Sequence, residues 1–376
     1  MNPKIIISIN TAWNVYNFRS GLIKALVAHG YDVVAVTPDD EYASRLMDLG
    51  CRFISLPMDN NGTHPGRDLL LFVRYWLLLR FERPSVYLGY TVKPNVYGSI
   101  AAHALSIPVV NNIAGLGATF INNTYLTKIV RGLYKFALNK SRRVFFQNSD
   151  DHLLFTESGL VRSEIADRIP GSGIDLSRYS PSSVPALTTR PFRFLLVARM
   201  LKDKGIREFV DAARIVRQRF PETQFQLLGM VDEANSNAIA IEEIHTWEKE
   251  NLIHYLGKTD DVRPYLADSD CVVLPSYREG VPRSLLEAAA MERPIITTDT
   301  PGCKDVVEHG LNGLLCKVRD AEDLAEKMLL MLSLTRENRL AMGEHGRNKV
   351  QSEFDEKLVI EKYLKVINEI LSPNVI

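Results

Sequence analysis

The sequence predicts an α/β protein built of two doubly wound halves, each a parallel sheet with helices on both faces. Three observations carry this. Apolar runs of strand length alternate with helix-length amphipathic segments along the chain. The runs are apolar at successive positions, as strands covered on both faces require. The alternation breaks once, near 170–192, in "PGSGIDLSRYSPSSVPALTTRP", a stretch rich in Pro, Ser, Gly and Thr that reads as a connection between domains.

The strands of the first half are "KIIISI" (4–9), "DVVAVT" (32–37), "RFISL" (52–56), "SVYLGY" (85–90), "PVVNNI" (108–113) and "RVFFQN" (143–148). Helical patterns separate them; "FRSGLIKALVAHG" (18–30) closes on Gly30 as a helix C-cap does. The second half restarts with "FRFLLVA" (192–198), "TQFQLLG" (223–229), "IHYLG" (253–257), "CVVLPS" (271–276), "PIITTD" (294–299) and "NGLLCK" (312–317), and ends in helices over 318–371. The expected domains are 1–175, 176–352 and a last helix within 353–376 that crosses back to the first domain. Ligands of such sheets bind outside the carboxyl ends of the strands.

With 376 residues the chain is long enough for two cores, and 46% apolar with 24% charged residues is a globular rather than a disordered composition. The net charge of zero hides an asymmetry. Between Pro65 and Arg143 there are eleven basic residues and two acids, Asp68 and Glu82. Such a field suits an anionic partner, a phosphate or an acidic membrane surface. Cys51, Cys271 and Cys316 sit in or beside apolar runs and read as core residues; with Cys303 they form no CxxC pair, so a reducing compartment fits. The N-terminal "MNPKIIISIN" reads as a first strand, without a signal peptide's long apolar region. No apolar run reaches the roughly 18–20 residues of a spanning helix.

Two stretches carry chemistry. In "PSYREGVPRSLLEAAA" (275–290) a buried strand turns into a helix. Glu279 sits on the turn, Gly280 permits close approach, and Pro282 can start a helix without losing a hydrogen bond. The helix N-terminus, with its unpartnered N–H groups, suits an anion or sugar hydroxyls, and Glu279 and Glu287 could clamp the hydroxyls of two different sugars. An acid favouring the dipole plus a solvated helix Glu fits the spacing equally. In "VARMLKDKGIREFVDAA" (197–213), Arg199 and Lys204 lie at the carboxyl end of the second half's first strand, a pair suited to a diphosphate or simply a solvated basic loop.

Together these stretches resemble the retaining glycosyltransferases of the GT-B fold, specifically glycosyltransferase family 4. The Glu-x7-Glu pattern is Glu279 to Glu287, and the Arg and Lys pair is Arg199 and Lys204. "PGSGIDLSRYSP", "YLGKTDDVRPYLADSDCVVLPS" and "PIITTDTPGCKDVVEHGLNGLL" are similar to the family's neighbouring segments. The resemblance implies two Rossmann-like domains with the active site in the cleft between them. It implies Glu287 on the ribose, Glu279 on the donor sugar, backbone from Gly280, Val281 and Pro282 toward sugar and phosphate, and Arg199 with Lys204 on the diphosphate. Gly229 and Lys258 lie where the base-binding backbone falls. It implies a nucleotide-diphospho-sugar donor, UDP-linked, transfer with retention, no metal and no further cofactor.

The first half is less typical: no Gly-Gly pair follows the first strand, and "NNIAGLGATF" (111–120) has Ala114-Gly115 where a His is expected. "NFRSGLIKAL", "KPNVYGSIAA" and "GLG" are similar to the branch that extends polyprenyl-diphosphate-linked glycans in bacteria. Gly115 and Gly117 would then let backbone approach the donor phosphate or acceptor; an ordinary tight loop is the alternative. His103, in an Ala-rich helix, reads as structural. The expected partners are the donor, a polyprenyl-diphosphate-linked saccharide and, through the basic first half, the inner face of the cytoplasmic membrane; nucleic acid is not expected. Of the two basic amphipathic segments, 69–83 reads as a core helix and 125–143 as a membrane contact. A nicotinamide-dependent oxidoreductase would need a G-x-G-x-x-G after a first strand, which neither half supplies. A non-catalytic sugar-nucleotide binder would not need Arg199, Lys204 and Glu279 together. A GT-B epimerase and a transferase with a soluble acceptor stay open.

Overall fold

The computed structural model describes residues 2–59, 64–115, 125–181, 190–233 and 235–372. The chain forms two compact units, Met1–Ser172 with Glu356–Ile376, and Gly173–Asp355.

In the first unit, strands β1 (Lys4–Ser8), β2 (Asp32–Thr37), β3 (Arg52–Ser55), β4 (Val86–Tyr90), β5 (Val109–Ile113), β6 (Arg143–Phe146) and β7 (Ala166–Arg168) form a parallel sheet in the order β3-β2-β1-β4-β5-β6-β7. Alternate residues of one strand feed opposite cores. Ile5 and Ile7 pack with helices Ala12–Ala28 and Glu356–Leu371, while Ile6 packs with Leu71, Tyr75 and Leu79 of helix Pro65–Glu82. That is why the strand is apolar at every position. β7, the sequence "ADR", carries no apolar run and was not expected; it is a half-exposed edge paired to β6.

Helix Ala12–Ala28 starts six residues before its apolar pattern. Thr11 caps it, accepting from Asn14 N at 3.1 Å, and the Asp40 carboxylate accepts from Ala12 N at 2.8 Å and Trp13 N at 3.2 Å. Three first-turn donors are thereby satisfied. Helix Glu356–Leu371 buries Val359, Tyr363, Val366 and Ile367 in the first unit's core, and Asn112 donates to Tyr363 Oη at 3.1 Å.

In the second unit, β8 (Arg193–Val197), β9 (Gln224–Leu228), β10 (His254–Tyr255), β11 (Cys271–Leu274), β12 (Ile295–Thr298) and β13 (Gly313–Cys316) form a parallel sheet in the order β10-β9-β8-β11-β12-β13. Phe194 and Leu196 face one core and Leu195 the other. The strand order reverses between β8 and β11, the switch point at which doubly wound sheets bind ligands. Cys51, Cys271 and Cys316 are buried, as expected for core residues, and so is Cys303. Among the described residues no helix is long and apolar enough to cross a membrane.

Candidate functional site: a carboxylate and cations at a strand switch point

The carboxyl ends of β8 and β11 carry the two stretches singled out by sequence. After β8 the chain makes a short turn, Lys202–Lys204, and enters helix Ile206–Arg219 through Gly205. Gly205 has φ of 72°, and a Cβ there would stand 2.2 Å from the Pro275 carbonyl oxygen, so only glycine lets this turn lie against the end of β11. Lys204 Nζ thereby reaches Glu279 Oε1 at 2.5 Å, both side chains being mostly withdrawn from solvent. Arg199 is exposed, and its side chain has no hydrogen bond or ion pair with any described residue.

Glu279 is held from both sides. Ser276 Oγ lies 2.7 Å from Glu279 Oε1 and 3.1 Å from the Asp203 carbonyl oxygen. Tyr277 N donates to that carbonyl at 2.9 Å, and the Asp203 side chain accepts from Asn237 Nδ2 at 2.6 Å. On the other side Glu279 N donates to Pro301 O at 3.1 Å. Gly302, with φ of 83°, lets the loop after β12 close in: a Cβ there would lie 2.3 Å from Gly280 O and 2.5 Å from Glu279 O. The carboxylate therefore stands on a turn pinned by neighbouring loops, with its position set before any ligand arrives.

Helix Arg283–Ala290 begins directly after Pro282, whose ring makes no capping hydrogen bond to it. Glu287 lies on its second turn and is buried. Tyr179 Oη donates to Glu287 Oε1 at 2.9 Å, and Arg283 Nε lies 3.3 Å from the same oxygen. Oε2 accepts nothing from the described residues. Burial pushes the Glu287 carboxyl above the ordinary carboxylate value, against the pull of Arg283 and the Tyr179 hydroxyl. Arg283 also donates to Gly173 O at 3.1 Å, tying the start of the connecting segment to this helix. A carboxylate fixed through one oxygen and open at the other suits a hydroxyl donor.

The remaining candidates fall in two places. Gly229 follows β9; its N donates to Gly257 O at 2.8 Å and its carbonyl accepts from Tyr255 Oη at 2.8 Å. Lys258, next to Gly257, is exposed. These two are thus brought together across the β9–β10 edge. Gly115 belongs to the first unit, just after β5, with φ of 107°, while Gly117 lies outside the described residues. His103 Nε2 lies 2.9 Å from Ala137 O, and burial lowers its pKa, in keeping with a structural role. The sequence by itself does not single out Tyr179, Ser276, Arg283 or Gly302. Ser276 and Arg283 sit inside the motif stretch itself. Tyr179 comes from the connecting segment, where nothing in the sequence says which way its ring points.

The family model described as glycosyl transferases group 1 matches residues 191–333, and the one described as glycosyl transferase 4-like matches residues 4–148. Between them they span most of the chain. The protein belongs to these glycosyltransferases, enzymes of the GT-B fold. This glycosyltransferase is 28% identical over 374 residues to the N,N'-diacetylbacillosaminyl-diphospho-undecaprenol alpha-1,3-N-acetylgalactosaminyltransferase of Campylobacter jejuni, covering 95% of this chain and 96% of that one. It is 23% identical to an Escherichia coli UDP-Gal:alpha-D-GlcNAc-diphosphoundecaprenol alpha-1,3-galactosyltransferase, covering 84% of this chain and 81% of that one. Among solved structures, Anabaena HepE in complex with UDP and glucose superposes with a TM-score of 0.81 at 17% identity, covering 98% of this chain and 100% of that one; at that identity the likeness is one of fold.

Proposed function

We propose that this glycosyltransferase moves a hexose or N-acetylhexosamine, with retention, from a UDP-linked donor to a polyprenyl-diphosphate-linked saccharide in the assembly of a bacterial surface glycan. The observation that carries the reading is the grouping of Arg199, Lys204 and Glu279 at the β8–β11 switch point. A sugar diphosphate needs cations where charge develops on the departing phosphate and a fixed acceptor for sugar hydroxyls. Lys204 and Arg199 supply the first and Glu279 the second. Glu287 Oε2 takes a ribose hydroxyl, with Tyr179 and Arg283 holding the carboxylate still. Gly280, Val281 and Pro282 offer backbone to sugar and phosphate, and Gly229 and Lys258 border the base.

The acceptor class rests on the names of the two relatives, both of which act on undecaprenol-diphosphate-linked sugars. The departing phosphate takes the acceptor proton, so neither a protein base nor a metal or other cofactor is required. Work on such an acceptor places the enzyme at the inner face of the cytoplasmic membrane.

The test is a panel of UDP- and GDP-sugars offered to the purified full chain with undecaprenyl-diphosphate-linked saccharides, in the presence of EDTA. The product's anomeric configuration is read by NMR. Transfer from a UDP-sugar with unchanged anomeric configuration is expected. Inverted product, or transfer only when a divalent metal is restored, would overturn the mechanism; transfer only to soluble acceptors would overturn the acceptor.

A further inference from the structure

The two cations assigned to the diphosphate are in unlike states. Arg199 is exposed, with no hydrogen bond or ion pair to any described residue. Lys204 is already engaged. Its Nζ sits 2.5 Å from Glu279 Oε1, and the two side chains are only 16% and 15% exposed. Ser276 Oγ lies 2.7 Å from the same oxygen. The carboxylate oxygen that suits a donor-sugar hydroxyl is therefore held by the cation that suits the diphosphate. While this pair holds, the two roles exclude each other.

Neither group can step aside as a whole. Glu279 N donates to Pro301 O at 3.1 Å, and at Gly302 a Cβ would stand 2.5 Å from Glu279 O, so the turn is pinned. Lys204 follows Asp203, whose carbonyl accepts from Tyr277 N at 2.9 Å, and precedes Gly205, which lies against Pro275 O. Any exchange of partners falls to the side chains. A Lys ammonium carries three donors on a flexible four-carbon stem. The Ser276 hydroxyl is fully buried and has one hydrogen, with two acceptors in reach: Glu279 Oε1 at 2.7 Å and Asp203 O at 3.1 Å. Turning that hydrogen to Asp203 O opens Oε1 to a sugar hydroxyl and leaves no buried donor unpaired.

Charge then separates two ligands. UDP without its sugar, on taking Lys204, leaves a largely buried carboxylate without its cation and beside added negative charge. A UDP-sugar replaces the lost ammonium with hydroxyls on the same carboxylate. We infer that the Lys204–Glu279 pair is a sugar-sensing latch. The donor's sugar takes Glu279 and so releases Lys204 to the diphosphate; once the sugar has been transferred, Glu279 takes Lys204 back and loosens UDP. The latch rests on the donor reading proposed above and adds to it a preference for the loaded nucleotide and a step in product release.

The test is calorimetric titration of the full chain, without acceptor, by uridine, UDP and the UDP-sugar that transfers in the donor panel. Wild type is compared with Glu279→Gln, which keeps the size of the side chain and removes its charge, and with Glu279→Asp, whose carboxylate is one methylene shorter. Wild type is expected to hold the UDP-sugar more tightly than UDP. Glu279→Gln is expected to bind UDP about ten-fold more tightly than wild type does, and the UDP-sugar no more tightly. Glu279→Asp is expected to shift UDP in the same direction by a smaller factor. Uridine, which has no phosphate, is expected to bind all three alike. No gain for UDP in either variant would overturn the latch. So would a UDP-sugar that gains as much as UDP, since the sugar would then have no part in releasing Lys204. Wild type that binds neither UDP nor the UDP-sugar would end the donor reading and the latch with it, whereas wild type that binds both, with no gain in the variants, would end the latch alone.

Discussion

The first strand-to-helix turn of each unit occupies the same place in the same topology, yet the two are chemically opposite. β1 and β8 each lie at the strand switch point of a parallel sheet, and each runs into a long helix. After β1, the helix N-terminus is closed by Thr11 and by the Asp40 carboxylate, which takes two of the helix's backbone N–H groups. After β8, Gly205 leads into helix Ile206–Arg219 with no side-chain cap, Lys204 directly precedes it, and Arg199 lies at the end of the strand. A carboxylate already seated on the first turn repels a diphosphate; two cations at the second attract one. One fold thus offers two such helix ends, and side-chain charge decides which of them suits an anion.

Removing the cations breaks this contrast most severely. Lys204→Ala and Arg199→Ala are each expected to lower kcat by about 10²- to 10³-fold, the size seen when one charge-stabilising donor is lost, with the far-UV spectrum unchanged. Steady-state transfer assays check this; near-normal rates in both variants would end the diphosphate assignment. A smaller effect sits at Glu287. Glu287→Gln removes a charged acceptor and is expected to raise donor KM by about 10- to 100-fold while changing kcat less. The pH dependence has a definite sign. Burial raises the Glu287 pKa, so the carboxylate protonates sooner as pH falls than an exposed glutamate would. Donor KM of wild type should therefore climb on the acid side, and the Gln variant should lose that limb. The smallest effect is on the closed turn. Asp40→Ala removes acceptors of two first-turn N–H groups and is expected to cost about 1 kcal/mol of stability, seen as a lowered Tm, with donor KM unchanged.

The same contrast explains what the sequence made legible. Buried parallel strands announce themselves because both faces need apolar residues, so twelve of the thirteen were in view and only the three-residue edge β7 was not. Glu279, Lys204 and Arg199 were legible because each follows a strand, and a strand's carboxyl end is known from the strand. Asp40 was not, since it caps a helix from 28 residues away in the chain. Tyr179 was missed for a related reason: its 108-residue separation from Glu287 gives no local pattern. Helix Pro65–Glu82 packs on the core as expected through Leu71, Tyr75 and Leu79, but an apolar count cannot tell that face from the outward one that carries Leu69, Val73, Leu77 and Phe81. Its inward-facing acids, Asp68 and Glu82, make that distinction once their partners Lys93, Lys4 and Arg52 are placed.

The most direct test of the nucleotide assignment is calorimetric titration of UDP into the full chain. Wild type and Asp40→Ala are expected to bind alike, and the Arg199→Ala/Lys204→Ala double variant at least about 100-fold more weakly. Retained binding in the double variant, with binding strengthened in Asp40→Ala, would place the nucleotide at the other turn and contradict the account.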